Sequence, residues 1–177
     1  MNPTNMTPVD WAKVPILEKY ADFSGRASRP EFWWYVLGLV VAFVIVAIVE
    51  SILGIHRMIV GMYGPLTTLL WLATIVPSIA VGVRRLHDTN RVGWWVLLPL
   101  VPECLMIVTA LMTAGAVAAG GGLAAGMGGL AITGLIGLVA LVGAIVLIVF
   151  YVMPGTPGEN RYGPVPPGSS TGAIAAE

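Results

Sequence analysis

The chain has 177 residues, of which 57% are hydrophobic and only 10% are charged, and its formal net charge is zero. Soluble domains carry about 25% charged residues, so this composition excludes an ordinary soluble domain and indicates lipid as the main solvent. The zero net charge and the lack of a basic run exclude a usual nucleic-acid-binding protein, and a lone cysteine, Cys104, excludes an internal disulfide or a thiolate metal site.

The first 30 residues are polar and precede the first long apolar run, which predicts an N-terminal segment without a cleaved signal peptide. Thr7 and Pro8 have the pattern of a helix start, with the threonine as cap and the proline in the first turn. Apolar residues then recur at helical spacing at Ile16, Leu17, Tyr20 and Phe23. This pattern predicts a short interfacial helix on the membrane surface. A helix packed on the protein's own polar loops would show the same pattern.

Four apolar stretches are long enough to cross a bilayer, because a helix of about 20 residues spans its roughly 30 Å of hydrocarbon. The predicted spans are residues 32–53, 62–83, 94–113 and 130–153. They form a transmembrane domain over residues 31–153, which follows the cytoplasmic segment 1–30. A cytoplasmic tail over residues 154–177 is expected to be disordered after residue 166.

The ends of the first span carry recognisable signals. Ser28 and Glu31 have the spacing of a capping box, in which each side chain bonds the backbone of the other residue. Glu50, His56 and Arg57 mark the far side of the span.

Two features interrupt the later spans. Pro77 removes one backbone hydrogen bond from the second span, and hydroxyls of the same helix, such as those of Thr74 and Ser78, are expected to satisfy the carbonyl that it frees. Residues 114–129 consist largely of glycine and alanine, which we interpret as a link on the outer side or as an extension of the third span.

The fourth span presents small residues at Thr133, Gly137, Ala140 and Ala144. A face of small residues lets a second helix approach closely. That neighbour is either a helix of this chain or a partner, including a second copy in a homo-oligomer.

The nine Lys and Arg residues predict the orientation, because cytoplasmic segments carry an excess of them. Four spans with both termini in the cytoplasm place only Arg57 outside. A three-span chain would put Arg161 outside and would use residues 94–153 for a single crossing. The sequence therefore predicts an all-α, multi-pass inner-membrane protein. Three polar segments would then meet at its cytoplasmic face: 24–31, 84–93 and 155–163.

Most residues able to do chemistry lie in or near these three segments. Arg84, His87 and Asp88 share a helical face. In one interpretation a carboxylate orients His87, and the surrounding arginines converge on an anion such as a lipid phosphate. In the other, which the pattern favours, the arginines follow topology and pair with Asp88, Glu31 and Glu159. The candidate binding residues are Arg26, Arg29, Arg84, Arg85, His87, Asp88, Arg91, Asn160 and Arg161.

Glu103 is the other candidate, because its position in the third span puts it about 13 Å into the bilayer. Carboxylates at that depth are costly and are usually functional, and Thr74 is the expected partner. Glu103 either gates the passage of protons or a small solute, or it is protonated and hydrogen-bonded between helices. Neither a metal-ligand spacing nor a nucleotide fingerprint occurs, so no metal and no cofactor are expected.

Three stretches of the chain resemble a known family. F-S-G-R-A-S-R-P-E-F-W-W, R-R-L-H-D-T-N-R-V-G-W-W and P-G-T-P-G-E-N-R-Y-G-P are similar, in this order, to the signatures of the YhaH-type small bacterial inner-membrane proteins, a family of unknown function. The resemblance covers Asp10 to Pro166 and implies an inner-membrane protein without catalytic residues to carry over. The chain departs from the family pattern by an extra stretch between the third span and the tail.

We therefore expect a non-enzymatic accessory or scaffold subunit. Its arginine-rich face would dock anionic lipid headgroups or a membrane-protein partner, and it would not bind nucleic acid. The first alternative is a small-solute or proton-coupled transporter that uses Glu103. The second is an interfacial enzyme that uses His87 and Asp88.

Overall fold

A computed structural model describes residues 6–55 and 64–169. Helix α1 (Pro8–Lys13) continues into a π-helical turn (Val14–Glu18), and a 3-10 turn (Gly93–Val96) precedes the third long helix. The long helices are α2 (Arg29–Ile52), α3 (Pro65–Asp88), α4 (Leu97–Ala118) and α5 (Gly122–Val152). All four are long and apolar enough to cross a membrane, which confirms the all-α membrane fold with four spans.

The chain forms two compact units. The first runs through Gly93 and resumes at Pro154, so it contains α1, α2, α3 and the tail. The second is Trp94–Met153 and contains α4 and α5. The candidate binding residues all belong to the first unit.

Helix α1 begins as predicted, because Thr7 and Asp10 form a capping box. The amide of Thr7 donates to the Asp10 carboxylate at 3.0 Å, and hydrogen bonds from the Thr7 hydroxyl and amide hold the pKa of Asp10 below its usual value. Helical structure ends at Glu18, earlier than the apolar spacing indicates. Trp11 and Val14 are buried, whereas Leu17 is 72% exposed.

Helix α2 begins with only half of the predicted capping box. The Ser28 hydroxyl accepts from the Glu31 amide at 3.4 Å, as expected. The Glu31 carboxylate does not reach back to Ser28 but pairs with Arg84 of α3. The Glu31 carboxylate, which was predicted to cap α2, therefore links α2 to α3 instead.

The opposite end of α2 supplies the cap of α3. The Glu50 carboxylate accepts from the Leu66 amide at 2.5 Å, from the Thr67 amide at 3.0 Å and from the Thr67 hydroxyl at 2.6 Å. The N-cap of α3 is Gly64, where any Cβ atom would overlap this carboxylate. His56, Arg57 and the predicted start of the second span at residue 62 lie outside the described residues.

Helix α3 extends to Asp88, five residues past the predicted end at residue 83. Hydropathy falls where Arg84 and Arg85 begin, but both side chains are buried and paired within the protein, so the helix continues.

Pro77 lies inside α3 and leaves the carbonyl of Ala73 without its helical donor. The hydroxyls predicted to compensate bond elsewhere. Thr74 donates to Leu70 O at 2.8 Å, and Ser78 meets the Tyr35 hydroxyl at 2.8 Å. The donor is instead Tyr20 of the N-terminal segment, whose hydroxyl lies 2.6 Å from Ala73 O.

In the second unit, α4 and α5 pack against each other as an antiparallel pair. The Thr133 hydroxyl donates to Thr109 at 3.1 Å, and a Cβ at Gly137 would lie 3.2 Å from the Met106 sulfur. At the far end of the pair the rings of Trp95 and Phe150 meet edge to face, with centroids 5.3 Å apart. The small-residue face of α5 is therefore occupied by a helix of the same chain.

The Gly/Ala-rich stretch 114–129 is mostly helical, which agrees with the alternative of an extended third span and not with a link over the whole stretch. Helix α4 reaches Ala118, α5 starts at Gly122, and only residues 119–121 connect them. Small side chains let the two helices pack closely there, because a Cβ at Gly129 would overlap the Thr113 side chain.

Candidate functional site

The three polar segments do meet, and we call residues 24–31, 84–93 and 155–163 together the charged end. The Ala27 amide donates to Arg84 O at 3.0 Å, which joins the first segment to the second. The Thr156 amide donates to Asp88 O at 2.8 Å, which joins the third to the second. The predicted convergence is confirmed.

Asp88 is the central acceptor of the charged end. Its Oδ1 accepts from Nε of Arg26 at 2.9 Å and lies 2.9 Å from Nη2 of the same residue, and its Oδ2 accepts from Arg85. The remaining Arg26 donors bond tail carbonyls, Gly158 O at 2.7 Å and Thr156 O at 2.8 Å. Arg26 thus ties the N-terminal segment to both α3 and the tail.

Arg84 forms a third ion pair at the charged end, with Glu31, and its guanidinium is only partly matched. Its Nη1 donates to Glu31, but Nε and Nη2 are buried without a hydrogen-bond partner in the described part of the chain. Asp22 lies near enough for the charge of Arg84 to lower its pKa, although hydrogen bonds from the Ser24 hydroxyl and amide lower it more. The described residues therefore leave one edge of a fully buried guanidinium unmatched.

The tail caps the C-terminus of α3, where the last carbonyls of a helix lack intrahelical donors. Besides the Thr156 amide, the Thr156 hydroxyl donates to Asp88 O at 3.1 Å. The Asn160 side chain donates to His87 O at 3.0 Å, and Arg161 donates to Asn90 O at 3.0 Å. Asn160 and Arg161 therefore stabilise the C-terminal end of α3 by hydrogen bonds to backbone carbonyls.

His87 is held by the backbone and by an aromatic ring. Its Nδ1 lies 3.1 Å from the carbonyl oxygen of Gly25, and its ring stacks on that of Tyr162 with centroids 3.7 Å apart. The guanidinium of Arg161 lies 4.7 Å from the Tyr162 centroid. The prediction that a carboxylate orients His87 is wrong. Tyr162 was missed, although its place in the N-R-Y-G turn beside two predicted site residues was a signal.

A cavity of about 210 Å³ lies beside Asp88 in the first unit. Its lining includes Arg29, Pro30, Asp88, Gly155, Gly168 and Ser169. A Cβ at Gly155 would overlap the Asp88 carboxylate, and one at Gly168 would lie 2.8 Å from the Trp11 ring. Glycine is therefore required in both walls for the backbone to come this close.

The family called "Protein of unknown function (DUF805)" matches residues 20–122, more than half of the chain. The chain belongs to this family. It is 32% identical to "Inner membrane protein YhaH" of Escherichia coli K12 over 158 residues, which cover 89% of the chain and 97% of that protein. It is 42% identical to "Inner membrane protein YhaI" of the same organism over 90 residues, or 50% of the chain and 70% of that protein. No solved structure matches the chain.

Membership of the DUF805 family, together with the four apolar helices, makes this a multi-pass inner-membrane protein. The chain leaves the first unit at Gly93, five residues after Asp88, and the tail that resumes this unit bonds Asp88 through Thr156. The two helices between these junctions, α4 and α5, are each long and apolar enough to cross a membrane, as the four-span prediction requires.

The remaining predicted residues of this DUF805 protein lie apart from the buried ion pairs. Arg91 is partly buried and donates to Thr89 O at 3.3 Å, and Glu159 is exposed. Glu103 is exposed on α4, and Thr74 bonds carbonyls of its own helix. Within residues 6–55 and 64–169, no group of three His, Cys, Asp or Glu residues could hold a metal ion. The pairing of arginines with Asp88 and Glu31 is confirmed.

Proposed function

We propose that the protein is a non-enzymatic scaffold or accessory subunit of the inner membrane, and that its charged end docks anionic lipid headgroups at the cytoplasmic leaflet. The observation that carries this proposal is the unmatched edge of Arg84. Nε and Nη2 lie on the side of the guanidinium that arginine uses for two parallel bonds to a phosphate or carboxylate.

The buried positive charge supports the same conclusion. At the charged end, the buried charged side chains among the described residues include the guanidinium groups of Arg26, Arg84 and Arg85 and the carboxylates of Glu31 and Asp88. Arginine cannot release its proton in a protein. In a weakly polar environment, the unmatched edge of Arg84 therefore favours binding of an anion.

The same contacts argue against the enzyme alternative. Both carboxylate oxygens of Asp88 are already taken up by the guanidinium groups of Arg26 and Arg85. His87 Nδ1 faces a backbone carbonyl, and one face of its ring is covered by Tyr162. Neither residue has the freedom that proton transfer to a substrate requires.

The test is lipid retention by the purified protein in a mild detergent. Native mass spectrometry should detect phosphatidylglycerol bound in preference to phosphatidylcholine when both are supplied equally. Arg84→Lys keeps the positive charge but lacks the two parallel N–H donors of the guanidinium group. The variant should therefore fold and lose the preference for phosphatidylglycerol. Arg91→Lys is the matched control and should keep it. Equal retention of both lipids by the wild type would refute the proposal.

The orientation belongs to the same proposal, because only a cytoplasmic charged end obeys the positive-inside rule. Cysteine labels placed at the N- and C-termini of a Cys104→Ser background should both stay protected from a periplasmic reagent. Labelling of either terminus in intact cells would contradict it.

A further inference from the structure

We propose that residues 7–23 are inserted into the bilayer as a re-entrant segment, whose exposed apolar side chains contact the acyl chains of phospholipids. The re-entrant segment consists of Thr7, α1, the π-helical turn and residues 19–23. It would enter the leaflet at the charged end, pack on α2 and α3, and return to the same end at residue 24. Such insertion requires the four-span fold but not headgroup docking.

The contact of the re-entrant segment with α2 lies inside the apolar run of that helix. A Cβ atom at Gly38 would lie 3.5 Å from the Cβ of Ala12. The sequence carries no charge from Phe32 to Val49, and Gly38 lies six residues after Phe32, or about 9 Å along the helix axis. Trp34, one turn before Gly38, is 38% exposed, as expected for an indole ring at headgroup level. Helix α1 therefore meets α2 below the headgroups.

Tyr20 reaches deeper, to the middle of α3. Its hydroxyl donates to Ala73 O at 2.6 Å. The apolar run of α3 ends at Val83, and Ala73 lies ten residues before that end, or about 15 Å along the axis. A carbonyl without a donor is especially costly in hydrocarbon, because no water can bond it there. The carbonyl that Pro77 frees therefore gives the re-entrant segment a point of attachment inside the membrane.

The backbone of the re-entrant segment forms hydrogen bonds within the segment, as insertion into hydrocarbon requires. The capping box at the start of α1 supplies acceptors for its first amides. The Lys19 amide donates to Val14 O at 3.0 Å and closes the π-helical turn. Pro8 and Pro15 have no amide hydrogen that needs an acceptor. The segment can therefore leave water at a low cost in backbone hydrogen bonds.

The side of the re-entrant segment that faces away from the protein is apolar. Its exposed apolar residues include Val9, Ile16, Leu17 and Phe23. Leu17 alone is 72% exposed. Contact of such side chains with acyl chains removes apolar surface from water, which is favourable. Acyl chains at the depth of the α2 contact are therefore the partner that this surface fits.

Two exposed charges set the limit of insertion. Lys13 and Glu18 are exposed, so their charged groups must reach the headgroups. A lysine side chain can extend along acyl chains and keep its ammonium group at headgroup level. Amphipathic helices lie about 5–10 Å deep for this reason. That depth agrees with the position of Gly38, and only the side chain of Tyr20 extends further.

The test places a bimane label on Leu17→Cys or Ile16→Cys, each in a Cys104→Ser background, in phosphatidylcholine vesicles. Both positions are exposed, so the substitutions should leave the fold intact. Lipids brominated on their acyl chains should quench both labels as strongly as a label on Val40→Cys, which is 54% exposed in the apolar run of α2. Aqueous iodide should quench neither, although it should quench a label on Pro164→Cys, an exposed residue of the tail.

Two outcomes would overturn the proposal. Iodide quenching of both segment labels to the extent seen at residue 164 would place the segment in water. Protection from both quenchers would mean that a protein, either a second copy of the chain or another subunit, covers this surface. Because the vesicles contain only phosphatidylcholine, neither result depends on a preference for anionic headgroups.

Discussion

The Tyr20 hydroxyl donates a 2.6 Å hydrogen bond to the carbonyl oxygen of Ala73, the oxygen that Pro77 deprives of its helical partner. A residue of the N-terminal segment thus supplies the hydrogen-bond donor that is missing in the middle of α3. The bond attaches the segment to α3 outside the charged end, in addition to the contacts that Gly25, Arg26 and Ala27 make with α3.

Tyr20→Phe should destabilise the protein by about 1 kcal/mol, because it leaves Ala73 O without a donor. The measurement is unfolding in detergent followed by circular dichroism. In a Pro77→Ala background the restored amide can bond Ala73 O, so the same tyrosine change should cost less. An equal loss in both backgrounds would show that the tyrosine acts through something other than this carbonyl.

Glu50→Gln should lower the thermal midpoint of unfolding. One carboxylate oxygen accepts from two amides at the start of α3 and the other from the Thr67 hydroxyl, and an amide group can replace only one of these acceptors. Glu103→Gln is the control, since Glu103 is an exposed carboxylate in another span. Comparable midpoints for the two variants would contradict the capping role of Glu50.

Gly143→Ala should weaken the packing of α4 on α5 by about 1–3 kcal/mol. An added Cβ would lie 3.0 Å from Leu98 O, the carbonyl that Pro102 frees, and backbone cannot move aside easily. Gly134→Ala is the matched control in the same helix, because its Cβ would meet open space and alanine favours helix. Unfolding in mixed micelles should separate the two variants. If Gly143→Ala proves as stable as Gly134→Ala, the close approach at Leu98 is not energetically important.

Asp88→Asn should destabilise the charged end by about 3–5 kcal/mol, because it leaves two buried guanidinium groups without their counter-charge. Limited proteolysis should then cleave the tail, which is held to α3 through Asp88 and Arg26. Asp22→Asn is the control, since its main contacts are exposed hydrogen bonds from Ser24. Wild-type protection of the tail in Asp88→Asn would mean that its other contacts suffice.

The sequence predicted that Glu31 and Asp88 pair with arginines, but not what each pair does. Glu31 and Asp88 were expected to neutralise arginines, and both do so. The capping role assigned to Glu31 was wrong because an arginine from α3 competes for the carboxylate. Capping patterns describe neighbours along one helix, and they carry no information on a charge brought in by another helix.

Composition and hydropathy alone determined that this is a four-span membrane protein whose three polar segments gather at one end, because exclusion of charge from lipid acts on each segment independently. Only the tertiary structure decided that α3 continues to Asp88, that Tyr20 reaches Ala73, and that Gly25 rather than a carboxylate meets His87. These contacts join residues more than fifty positions apart, so they depend on how the helices and the tail pack. The buried charges in the last turn of α3 are paired, and this pairing keeps the turn helical. Hydropathy alone predicts that the helix ends before it.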